Sequence, residues 1–279
     1  MSYVGKYKYD QKFSLKTADD FKDKDIFVSG SVLIPDTADL RPWCSAVEDQ
    51  GRLGSCGPNA STGAMELLYN KLGIPFAELS RLFLYKNTRN IMGTSQDDSG
   101  VDNASMFKAA KDFGVCPEKE WPYDISKFKK TPPVSCYKSA LKRQLTQYAR
   151  LESLNEIMEA VGVKKVGVVI ATTVYSSFES DEVAKTGMVP VPDTRKEKNL
   201  GGHDMLIVGY DKPKRLLLVR NSWSDAWGIK GYCWIPFEYV EKGIANEFWA
   251  VLAEETGEDS VWVKAGYKWA KSVFSGLGK

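Results

Sequence analysis

Gln50-Gly51-Arg52-Leu53-Gly54-Ser55-Cys56 is the stretch around which the rest of the chain is read. It sets a thiol where an apolar, helix-like pattern begins, with the side-chain amide of Gln50 a few residues ahead. Just beyond it, Ala60, Ala64, Leu67, Leu68 and Leu72 form one apolar stripe, and Gly73-Ile74-Pro75 ends the pattern. The spacing predicts a helix over 57–73 that Cys56 opens. A helix N-terminus carries partial positive charge and favours a thiolate. A cysteine before a helix is nevertheless most often a small buried hydrophobe. A reactive reading needs a base, and His203 is the single histidine in the chain.

Outward from this stretch the chain divides by character. A second helix is expected near 78–90 (Leu79, Leu82, Phe83, Tyr85). A loop rich in Gly, Ser, Asp and Asn follows over 92–103. A third helix fits 104–113, stopped by Gly114, and one or two more fit 137–161. From Lys165 onward the runs are β-rich: 165–171, 204–210, 215–220, 231–235 and 247–252, separated by turns such as Asp211-Lys212-Pro213. Helices first and strands second predict an α+β fold of two lobes with a cleft between them.

The ends differ from the middle. Tyr3, Tyr7, Tyr9, Phe13 and Leu15 all fall on odd positions, which predicts an extended segment laid on a surface. Residues 17–25 are polar and charged, as in a connector. Trp262, Gly266, Trp269 and Val273 recur at helical spacing among lysines and predict a docked terminal helix over 261–279.

Composition narrows the function classes. The chain has 279 residues, 43% hydrophobic and 27% charged, enough for one large domain or two modest lobes. Its 38 basic and 36 acidic residues nearly cancel, so no nucleic-acid-binding field is expected. No apolar run reaches the ~20 residues of a membrane span. The first residues lack a signal peptide's apolar core, so the chain as written reads as cytoplasmic, although a trimmed exported form would read the same. The cysteines are Cys44, Cys56, Cys116, Cys136 and Cys233. With no CxxC pair and one histidine, a Cys/His zinc site is not expected, nor is any other cofactor. If Cys56 is free, the other four allow three pairings and the sequence does not choose among them.

Four local patterns then occur in order: Gln50 ahead of Gly54-Ser55-Cys56; Gly202-His203 leading into Leu206-Ile207-Val208-Gly209-Tyr210; Asn221-Ser222-Trp223; and Trp227-Gly228 before Gly231-Tyr232. Together, over about residues 34–252, they resemble the papain family of cysteine peptidases. The resemblance implies a helical lobe over about 50–150 and an antiparallel, β-barrel-like lobe over about 160–255, within a peptidase domain of residues 34–260. It implies Cys56 as nucleophile, His203 as proton carrier and Asn221 as the group that orients the imidazole. Gln50 and the Cys56 backbone N–H would form the oxyanion hole, and Trp223 would cover the His–Asn pair. Polypeptide substrates, endopeptidase action through a thioester and a monomeric state are the corresponding expectations.

The departures are as informative. The family signature Cys-Gly-Ser-Cys-Trp stands here as Leu53-Gly54-Ser55-Cys56-Gly57, so the bridge made by its first cysteine is absent. The small residue that often follows the histidine is Asp204, which would favour a basic substrate side chain if it faces the pocket for the second residue before the cleaved bond. Gly100 resembles the glycine whose backbone pairs with extended substrate. Residues 1–33 are too short for the family's usual inhibitory domain. They could thread the cleft as a short blocking arm or simply brace the fold. An acyl or isopeptide transferase, or a non-catalytic peptide-binding module, would use the same fold.

Overall fold

The computed structural model describes residues 4–17, 20, 33–74 and 77–252. The expected helix over 261–279 and most of the connector over 17–25 lie outside them. After an extended N-terminal arm come β1 (Thr37–Asp39), α1 (Cys56–Lys71), α2 (Arg81–Ile91), α3 (Asn103–Asp112) and α4 (Val134–Ala140). The second half holds β2 (Gln147–Leu151), α5 (Leu154–Glu159), β3 (Val168–Tyr175), α6 (Asp181–Thr186), β4 (Asn199–Asp211), β5 (Leu216–Arg220), β6 (Tyr232–Pro236), α7 (Glu238–Glu241) and β7 (Ala245–Leu252).

The fold is α+β. Its strands form one antiparallel sheet in the order β2-β7-β3-β4-β5-β6, with β1 on the far end of β4. The sheet corrects one expectation: it stays open, with β2 and β6 as edges, and does not close into a barrel. The reading of one or two helices within 137–161 left out a strand between them. Gln147–Leu151 is a strand, because Ala149, Arg150 and Leu151 bury themselves in register with β7.

α1 runs through the centre, and every residue from Cys56 to Tyr69 is buried. It lies against β3, β4 and β7 on one side and against α2 and α3 on the other. A helix buried all round needs small residues where neighbours approach closely. Ala60, Ser61, Thr62, Gly63 and Ala64 supply them, and a Cβ on Gly63 would sit 2.9 Å from the Arg220 guanidinium. This packing brings the N-terminus of α1 to the middle of β4, where His203 and Asp204 stand. α2 and α3 start on side-chain caps: Ser80 Oγ accepts from the Phe83 N–H at 3.2 Å, and an Asp102 carboxylate oxygen accepts from the Ser105 N–H at 2.8 Å. Among the described residues no helix is long and apolar enough to cross a membrane.

Candidate active site beneath an N-terminal arm

The expected residues converge. Cys56, at the first position of α1, is 1% exposed, and its sulfur lies within reach of the backbone N–H groups of Gly57 and Asp204. The middle of β4 therefore faces the helix terminus directly. His203, fully buried, pairs through Nε2 with Asn221 Oδ1 at 2.9 Å. Asn221 Oδ1 also accepts from the Ser222 N–H at 2.8 Å, which fixes the amide's orientation. An acceptor at Nε2 means that Nε2 donates, so in the neutral ring Nδ1 carries the lone pair. Nδ1 has no hydrogen-bond partner among the described residues. Trp223, also fully buried, stacks on the imidazole with ring centroids 5.3 Å apart and an interplanar angle of 29°.

Gln50 is clamped at both ends of its amide. Its Oε1 accepts from the Ser222 hydroxyl at 2.6 Å, and its Nε2 donates to the Leu53 carbonyl at 3.1 Å. One of its two amide N–H groups is thereby used. Ser222 and Tyr123 were not singled out in the sequence. Ser222 sits in the Asn221-Ser222-Trp223 segment, whose spacing could have signalled it. Tyr123, whose hydroxyl donates to the Gln50 carbonyl at 2.8 Å, carries no comparable signal.

The two departures from the family signature fit each other. A Cβ on residue 57 would stand 2.7 Å from Asp204 Oδ2, so glycine at 57 spares the Asp204 carboxylate a shift from the position it takes. Asp204 is fully buried. Its Oδ1 accepts from the Asn103 Nδ2 at 3.1 Å, and its Oδ2 has no partner among the described residues. Burial, reinforced by the Glu247 and Asp102 carboxylates, pushes its carboxyl well above the usual carboxylate range against the pull of Asn103.

Residues 7–12 lie over this constellation. Tyr7 stacks on Trp223 at 4.5 Å and 4°, and its hydroxyl donates to the Trp223 carbonyl at 3.2 Å. Tyr9 meets His203 edge-on at 5.7 Å and donates to Glu179 Oε1 at 2.5 Å. The backbone then runs between the lobes. The Gln11 N–H donates to the Gly202 carbonyl at 3.1 Å, and the Lys12 N–H donates to the Val101 carbonyl at 3.0 Å. Asp10 rests on Gly100, whose φ of +67° suits glycine and whose missing Cβ would overlap the Asp10 carbonyl at 1.9 Å. The Ser14 N–H donates to Glu247 at 2.9 Å, which anchors the arm beyond the cleft. The period-2 expectation is thus half realised. Tyr7 and Tyr9 pack inward, whereas Phe13 and Leu15 point to solvent, 43% and 88% exposed.

Burial sets the electrostatics. Burial pushes the Cys56 thiol far up, and the Asp204 and Asp10 carboxylates add to it, against two backbone N–H groups that pull it down. Burial lowers His203 to about 4, partly opposed by Asn221. Beneath the arm the pair is therefore thiol and neutral imidazole. Chemically, a thiol at a helix N-terminus beside an oriented imidazole and a clamped amide donor is equipped for nucleophilic attack once water and charge can enter.

Comparison with known proteins agrees. The profile of the family described as papain family cysteine protease matches residues 34–252. An uncharacterized peptidase C1-like protein of Acanthamoeba polyphaga mimivirus is 32% identical over 73% of this chain and 68% of its own length. Cathepsin L of Sarcophaga peregrina is 30% identical over 72% of this chain, which spans 58% of that protein. The crystal structure of xylellain, a cysteine protease from Xylella fastidiosa, superposes with a TM-score of 0.77 at 31% identity, over 88% of this chain and 97% of that one. With a match over most of its length and the papain-like fold, the chain belongs to the papain family of cysteine proteases and so to the hydrolases.

Proposed function

We propose that the chain is an endopeptidase that cleaves polypeptides through Cys56, with residues 7–12 blocking the cleft until they are displaced. The observation that carries the reading is the His203–Asn221 bond of 2.9 Å under Trp223, on the strand that faces the Cys56 helix terminus. Once the arm leaves, water reaches the pair and the Asp10 charge is withdrawn. The proton then moves from Cys56 to His203 Nδ1, since Asn221 holds Nε2. The thiolate attacks the peptide carbonyl. The free N–H of Gln50 and the Cys56 backbone N–H receive the oxyanion. His203 protonates the leaving amine, which leaves a thioester on Cys56. Water, deprotonated by His203, hydrolyses that thioester and restores the thiol.

Asp204 is assigned to the pocket for the second residue before the cleaved bond. Its unpartnered, buried Oδ2 is an acceptor that a lysine or arginine side chain would satisfy. Gly100 gives the extended substrate backbone the close approach that the arm now takes. Replacing Asp204 by Ala and profiling a peptide library tests the pocket; an unchanged preference at that subsite ends the assignment.

The function itself is tested with a thiol-directed epoxide and a fluorogenic peptide. The full chain, the chain lacking residues 1–33 and the Cys56→Ala variant are compared. Labelling of Cys56 with turnover, both faster without the arm, supports the proposal. No labelling in the trimmed chain favours a peptide-binding module. Acyl transfer to an added amine in place of hydrolysis favours a transferase. Equal rates with and without residues 1–33 remove the blocking role and leave the arm as a brace.

A further inference from the structure

All five cysteines are free thiols, but two of them are neighbours. Cys116 and Cys136 share a small buried cluster with Phe83 and Ala140, where they are 0% and 1% exposed. Cys44 instead turns its thiol to the Leu40 carbonyl, and Cys233 is buried in β6. Of the three pairings open to the four cysteines outside the cleft, one joins two members of the same small cluster. We propose that Cys116 and Cys136 are an oxidation site that forms a disulfide.

The segment the pair would close gives the bond a consequence. Residues 117–135 contain only short turns and the start of α4, and they are held by hydrogen bonds and by Trp121, Tyr123 and Phe128 packed on the core. Ser80 Oγ donates to the Trp121 carbonyl at 2.6 Å, and Lys86 Nζ donates to the Lys129 carbonyl at 2.9 Å. From this segment the Tyr123 hydroxyl reaches the Gln50 carbonyl at 2.8 Å and the Ser55 hydroxyl at 2.5 Å, while the Arg81 guanidinium lies 4.2 Å over its ring. The loop therefore buttresses the back of the 50–56 stretch. The Cys116 end is tied to α2 through the Ser80 N–H, which donates to its carbonyl at 2.8 Å, and the Cys136 end is carried by α4. A covalent link between them restricts the unfolded chain and keeps the buttress closed.

The chemistry balances with a disulfide oxidant. Cys136 lies just inside exposed Ser135, beside a shallow hollow that Ser135, Ser139 and Glu120 line, and its thiol donates to the Glu120 carbonyl at 3.5 Å. As thiolate it attacks oxidised glutathione, forming a mixed disulfide and releasing one glutathione thiolate. Cys116 then loses its proton and displaces the second glutathione. Two protein thiols are oxidised, two protons leave, and one glutathione disulfide is reduced to two glutathiones.

The test uses the full chain with Cys56→Ala, so that the cleft thiol cannot react. After incubation with oxidised glutathione, alkylation and peptide mapping should give a Cys116–Cys136 cross-linked peptide and an intact mass about 2 Da lower. The melting temperature should rise by roughly 5–10 °C. Both changes should vanish in Cys116→Ser and in Cys136→Ser, revert with dithiothreitol, and persist in Cys44→Ser and Cys233→Ser. Cross-linking of Cys116 or Cys136 to another cysteine overturns the proposal. So does alkylation of both as separate thiols, or stable glutathione on each, after the oxidant has reacted with the half-buried Cys44. These readouts do not depend on turnover, so they stand or fall apart from the proposed peptidase activity.

Discussion

Ser55 and Ser80 stand in the same place, each immediately before a helix, and do opposite things. Ser80 has extended backbone, φ −72° and ψ 102°, and its hydroxyl caps α2 by accepting from the Phe83 N–H. Ser55 has φ −107° and ψ 23°, makes no side-chain cap, and turns its hydroxyl to Tyr123. One helix start is closed by its own sequence. The other is left open by a tertiary contact, and that is the helix whose first residue is Cys56. A cap is worth about 1 kcal/mol. Leaving it out keeps the first-turn N–H groups and their partial positive charge for the thiol and for charge that develops beside it.

Five substitutions can break or sharpen this contrast, in descending order of effect. At the open terminus, Cys56→Ala should abolish epoxide labelling and peptide turnover in the chain lacking residues 1–33, read by intact mass and fluorescence. Gln50→Ala should retain labelling but slow turnover by about 10²–10³, the usual cost of one oxyanion donor. An unchanged kcat would move the oxyanion away from Gln50.

Asp204→Asn addresses the charge that opposes the open terminus. In the folded chain the Asp204 carboxyl titrates well above its ordinary value of 3.8. The unfolded chain therefore gives up this proton at lower pH than the folded chain. The group's contribution is most favourable below 3.8 and is lost as pH rises through the folded value. Removing the titration should raise the melting temperature by a few degrees, roughly, at neutral pH, with the gain fading toward pH 3.8. A gain that grows in acid would reverse the sign and sink the argument. The smallest effect belongs to the closed terminus. Ser80→Ala should cost about 1 kcal/mol and speed hydrogen exchange at the Phe83 amide. Ser55→Ala should leave first-turn exchange in α1 unchanged.

The same contrast marks how far the sequence could be read. Helix stripes such as Ala60-Ala64-Leu67-Leu68 and β-rich runs such as Val168-Val169-Ile170 were legible because local periodicity reports burial. The strand at Gln147–Leu151 was not, because what holds it is pairing with β7, far along the chain. The openness of the sheet was illegible for the same reason. The coupling of Gly57 to Asp204 was also hidden. Each reads as a separate departure until a 2.7 Å approach makes them one.

By itself the sequence determined the family, the succession of a helical half and a β-rich half, and the residue types gathered at the cleft, since these rest on local pattern and on motifs with their own spacing. Tertiary structure alone decided the rest. It laid Tyr7 and Tyr9 on Trp223 and His203, made Ser55 forgo a cap, left Asp204 buried with one oxygen unpartnered, and put Cys116 against Cys136. Each is a contact between residues distant in the chain or a consequence of burial. A local pattern sets which face of an element turns inward. It does not set what the rest of the chain places against that face, and the charge state of the cleft depends on that burial.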